Sequence, residues 1–115
     1  MALVINWDGG NFLNIKFDGS TDFDLCAYIR AHGFPNCQQV TLLTVCQNSV
    51  AVNDELTVRE GAAGGIAFYG PFKDVTGSGL VRYYKERICK PYVKGAEATA
   101  NSKATFEFGH DGAPA

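Results

Sequence analysis

The sequence predicts a mostly β (α+β) domain, an antiparallel sheet or β-sandwich of about seven strands with one short helix packed on it. Short apolar, β-branched segments recur between clusters of Gly, Asn, Asp and Ser, with reversals every eight to ten residues or so, as in a meander. One segment, about residues 22–32, combines helical spacing of its apolar residues with start and stop signals. A length of 115 residues suits one core, so a single domain over 1–109 with a frayed, flexible tail at 110–115 is expected.

The helix is the best-signalled element. Thr21 is placed to cap its first turn, with Asp24 three residues on completing a capping box at the positive end of the dipole. Leu25, Tyr28, Ile29 and His32 fall on one face beside Cys26, Gly33 suits the left-handed exit, and Pro35 forbids continuation. A helix of about three turns is marginal alone and must dock on a sheet. The following segment 40–46 (VTLLTVC) is its natural partner, apolar enough for a strand covered on both faces.

Before the helix, residues 2–18 read as a hairpin around Asp8-Gly9-Gly10-Asn11, with Leu13, Ile15 and Phe17 on one oily face. After it come short strands at Val50 and Val52 and at residues 56–58, then Gly61-Ala62-Ala63-Gly64-Gly65, which either bends a strand or admits a close backbone or ligand. Residues 66–72 (IAFYGPF) read as an edge because Gly70-Pro71 interrupts them. Residues 80–93 (LVRYYKERICKPYV) fit both periods; a long strand or hairpin limb ending at Pro91 is preferred over a helix. Residues 94–103 suit an exposed loop, and 104–108 (ATFEF) a closing strand.

Net charge is −2, spread as about −4 over residues 1–60 and +2 over 61–115, far from the basic excess of a duplex-DNA binder. There is no charged segment leading into an apolar one, and no apolar run near the roughly 18 residues that span a bilayer, so a soluble chain without a signal peptide or membrane insertion is expected. Cys26, Cys37, Cys46 and Cys89 match no zinc spacing and read as buried reduced thiols; a Cys26–Cys37 disulfide is the other reading.

Chemistry finds little foothold. His32 and His110 lack a nucleophile partner, and Ser78 stands outside a G-x-S-x-G frame, so no enzyme is expected. The GAAGG run lacks the Gly-Lys-Ser/Thr of a phosphate loop, and Asp18, Asp22 and Asp24 lack the alternation of a calcium loop, so neither cofactor nor metal is called for. The remaining cluster is Arg82, Tyr83, Tyr84, Lys85, Arg87, Lys90 and Tyr92, with Lys94 beside it. It reads as an ordinary strand with inward tyrosines and outward charges, as a protein interface with Tyr and Arg anchors, or, third, as a single-strand nucleic-acid platform.

The central stretch resembles β-domains of tail-tip and tail-fibre proteins of tailed bacteriophages. The resemblance rests on Phe23-Asp24-Leu25, Ala31-His32-Gly33-Phe34, residues 40–45, 50–52, Leu56-Thr57-Val58 and 61–65, and ends before Tyr69. It implies a virion component, assembled in the host cytoplasm, engaged in assembly or host contact through protein partners and as a homo-oligomer. The same region is similar to a βγ-crystallin Greek key through Trp7-x₄-Phe12, Phe23-Asp24-Leu25 and residues 36–41, although Asn14, Cys37 and Val40 depart from its corner and calcium positions. That similarity implies a stability or metal-binding module.

Overall fold

The Asp8-Gly9-Gly10-Asn11 turn folds as the sequence reads, joining β1 (Val4–Trp7) to β2 (Phe12–Lys16) as an antiparallel hairpin with Ile5 opposite Ile15 and Trp7 opposite Leu13. Gly9 takes φ +80°, and Asp8 Oδ1 accepts the Gly10 amide at 2.7 Å. The computed structural model describes residues 3–48, 53–73 and 79–115; the strand expected at Val50 and Val52 and the loop at Ser78 lie outside them.

Among the described residues nine strands form two antiparallel sheets, ordered β1-β2-β9-β4-β7 and β3-β8-β5-β6. The remaining strands are β3 (Phe23–Asp24), β4 (Val40–Asn48), β5 (Glu55–Glu60), β6 (Ala67–Lys73), β7 (Leu80–Cys89), β8 (Pro91–Val93) and β9 (Lys103–His110). One core joins the sheets: Leu13, Ile15, Leu42, Val45, Phe106 and Phe108 from the first meet Phe23, Leu56, Val58, Tyr69 and Val93 from the second. The mostly-β sandwich with one short helix is therefore the fold.

Helix α1 (Leu25–Ala31) is shorter than expected, and its cap is Asp24, whose side chain accepts Ala27 N–H. Thr21 serves the preceding turn instead, donating its hydroxyl to Asp18 Oδ2 at 2.6 Å. The reason is β3, which keeps Phe23 and Asp24 extended and delays the first helical residue. Burying Leu25 and Ile29, each worth about 1.5–3 kcal/mol, offsets the nucleation cost of so short a helix. Gly33 takes the predicted left-handed conformation at φ +108°.

The helix packs closest to β3 and β8, so β4 is not covered on both faces. Val40, Leu42, Val45 and Gln47 are buried, while Thr41, Thr44 and Cys46 are half-buried on the other side, the alternation shifting at a bulge between Leu42 and Thr44. Nor is the sheet a simple meander. β9, read as a closing strand, runs between β2 and β4, with Phe106 opposite both Leu13 and Val45. Its buried Ala104, Phe106 and Phe108 tie the two ends of the chain together. The edge assignment for residues 66–72 holds: β6 is the last strand of its sheet and contains a cis Gly70-Pro71 bond.

Residues 94–103 are not an exposed loop. A 3₁₀ turn, Gly95–Glu97, is followed by buried Ala98 and Ser102, and a Cβ on Gly95 would lie 2.4 Å from the Ser20 carbonyl carbon. Asp22 accepts Gly95 N–H at 2.7 Å, and Arg59 Nε and Nη2 grip both carboxylate oxygens of Glu97 at 2.8 and 2.7 Å. Where the sequence suggested fraying at 110–115, His110 ends β9 opposite Val40, Asp111 Oδ1 accepts Gln38 and Gln39 N–H, and Ala115 N–H donates to Gly33.

Candidate interaction surface

Among the described residues strand β7 is one edge of the five-stranded sheet and β6 one edge of the other, and side chains of the two meet between the sheets. The side chains between them are aromatic and cationic. Arg87 lies over the Phe68 ring at 4.5 Å, Arg82 lies 6.0 Å from the Phe72 ring and 5.5 Å from Tyr84, and Tyr84 meets Phe68 edge-on. The Tyr84 hydroxyl donates to the Phe68 carbonyl at 3.2 Å, and burial pushes its pKa up to about 12. Arg87 also approaches Glu60 at 3.7 Å.

The outer side of β7 is defined by register. Val81 pairs with Cys46, Tyr83 with Thr44 and Ile88 with Thr41, all on the side of β4 away from the core. Tyr83 and Ile88 are five positions apart, which in an unbroken strand would place them on opposite faces. Lys85 and Glu86, at φ +48° and +67°, form an irregularity that restores them to one face. Tyr83 is 76% exposed, Ile88 64% and Val81 48%.

The seven predicted residues are therefore divided. Arg82, Tyr84 and Arg87 point toward β6, Tyr83 points outward, and Lys85 stands on the irregularity. Lys90 lies at the crossover between the sheets, where its amide donates to Glu60 Oε2. Tyr92 is on β8 in the other sheet, its hydroxyl donating to Asp22. That bond raises the Tyr92 pKa, and it is the first cause of the lowered Asp22 pKa, ahead of the Gly95 amide. The expectation of one limb ending at Pro91 is thus corrected: the chain changes sheets after Cys89, and Pro91 begins β8. Sequence reasoning missed Val81, an apolar residue that alternation puts on the same side as Tyr83, and Ile88, whose outward position follows from the irregularity, for which Lys85-Glu86 carries no turn signature.

The three aspartates considered for calcium are held by local structure. Asp18 accepts from Ser20 and Thr21, Asp22 from Tyr92 and Gly95, and Asp24 caps the helix. Among the described residues no group of three His, Cys, Asp or Glu side chains is placed to hold a metal ion. All four cysteines are free; Cys26 and Cys37 are neighbouring buried thiols, and burial, followed by the Cys37 neighbour, pushes Cys26 up to about 12. No helix among the described residues is long and apolar enough to cross a membrane. No known protein family, curated protein or solved structure matches the chain.

Proposed function

We propose that this is a non-enzymatic structural protein that works through protein contacts at the outer face of β7, in the role of a small bacteriophage virion component and with a second copy as its partner. The observation that carries the reading is the alignment of exposed Val81, Tyr83 and Ile88 on one side of an edge strand. The positive-φ Lys85 and Glu86 obstruct edge-on pairing, so contact is made through the face. Nucleic acid is less well served, because Arg82 and Arg87 are already taken up by β6 rings. Light scattering after size exclusion tests self-association: a defined oligomer that Tyr83→Asp with Ile88→Asp converts to a folded monomer supports it, and a wild-type monomer at high concentration that joins no particle overturns it. Capsid or tail genes beside its gene would support the virion role; a metabolic operon would count against it.

A further inference from the structure

We propose that the cleft at the opposite edge of the same sheet binds a neutral saccharide. The cleft, about 460 Å³, lies at the edge strand β1: Asn6, Phe12 and Asn14 line it from the outer face of the sheet, Trp7 (opposite buried Leu13) and Tyr28 from the core side, and Asp8 from the turn. A sugar ring presents an apolar C–H face edged by hydroxyls, so its recognition needs aromatic surface interleaved with amide and carboxylate groups. Small-ligand sites have this composition, apolar walls with a few convergent polar groups.

The aromatic part is held in place. Trp7 donates its indole N–H to Gly10 O at 3.0 Å and packs edge-on against Tyr28 and Phe34. Phe12 is 50% exposed. The polar part retains bonding capacity. The Asn6 side-chain carboxamide makes no hydrogen bond to any described residue. Asn14 Nδ2 is committed to Thr105 Oγ1 at 2.9 Å, leaving its Oδ1 as an acceptor. Asp8 uses Oδ1 for the Gly10 and Phe12 amides, leaving Oδ2 for a hydroxyl. No Lys or Arg lines the cleft and Asp8 is acidic, so phosphate and sulfate esters are disfavoured. This edge is separated from β7 by the three intervening strands β2, β9 and β4, so the cleft stands or falls independently of the self-association face.

Trp7 is the single tryptophan of the chain and reports on the cleft directly. Its fluorescence should be titrated with maltohexaose, cellohexaose and chitohexaose, with a heparin hexasaccharide as the charged counterpart. A saturable change with at least one neutral hexasaccharide is expected, weakened about fivefold by Asn6→Ala, in line with one lost hydrogen bond, and also by Phe12→Ala, with melting temperature unchanged. The proposal is overturned if no neutral hexasaccharide alters the emission up to about 10 mM, if both variants bind as the parent does, or if the heparin hexasaccharide binds more tightly.

Discussion

Tyr69 donates its hydroxyl to Gln47 Oε1 at 2.6 Å in the centre of the protein, joining β6 of one sheet to β4 of the other. Both residues are fully buried, and Gln47 Nε2 spans to the carbonyls of Asp54 and Phe72. Most of the core between the sheets is apolar and non-directional, so these buried bonds help to set how β4 and β6 align. Tyr69→Phe withdraws the hydroxyl from a buried amide oxygen and should cost about 1–3 kcal/mol, read as a lowered midpoint in urea. An unchanged midpoint would show that the bond adds nothing to the fold.

Gly95 and Gly64 make a matched pair. A Cβ at Gly95 would meet the Ser20 and Thr21 backbone at 2.4–2.6 Å, whereas one at Gly64 would meet nothing within 4 Å. Gly95→Ala should therefore destabilise by about 1–3 kcal/mol, as overpacking does, with Gly64→Ala within about 0.5 kcal/mol of the parent. Equal melting temperatures for the two variants would refute the close approach of residues 94–103 to the turn before β3.

Acid should weaken the fold. Asp18, Asp22, Glu97 and Asp111 are all held below their ordinary values, chiefly by hydrogen bonds from Thr21, Tyr92, Arg59 and Gln38 respectively. A carboxylate with a depressed folded pKa stabilises above its unfolded value and loses that contribution as pH falls through the folded one. Stability should be level from neutral pH down to about 4.5 and decline below it. In Tyr92→Phe the Asp22 contribution to this decline should shrink, and an identical acid limb in the variant would contradict the pairing.

Alkali should act through the thiols. Burial pushes Cys26 and Cys89 up to about 12, above the ordinary thiol value. A raised folded pKa gives stability that is complete below the unfolded thiol value and is lost as pH rises from there toward 12. The same burial shields these thiols from alkylation, while Cys46 is half-buried on the outer side of β4. Mass spectrometry after brief iodoacetamide treatment should find Cys46 modified first; early modification of Cys26 or Cys89 would contradict this core.

Much of the local structure was legible because local rules produced it. The Asp8-Gly9-Gly10-Asn11 turn, the Gly33 exit of α1, the alternation of residues 104–108 and the edge position of the Gly70-Pro71 segment each depend on residues close in sequence. The candidate surface was only half legible. Composition singled out Arg82 through Tyr92, but which of them face outward depends on the Lys85–Glu86 irregularity and on the partner strand β4.

The sequence by itself determined the strand-rich class, the single helix and the hydrophobic faces, since turn chemistry and periodicity act over a few residues. Only the tertiary structure decided that β9 lies between β2 and β4, that the chain changes sheets at Lys90, and that Gly95 is packed against Ser20. These are pairings between residues far apart in sequence. They are selected by the burial of a shared core, which no short window of sequence contains.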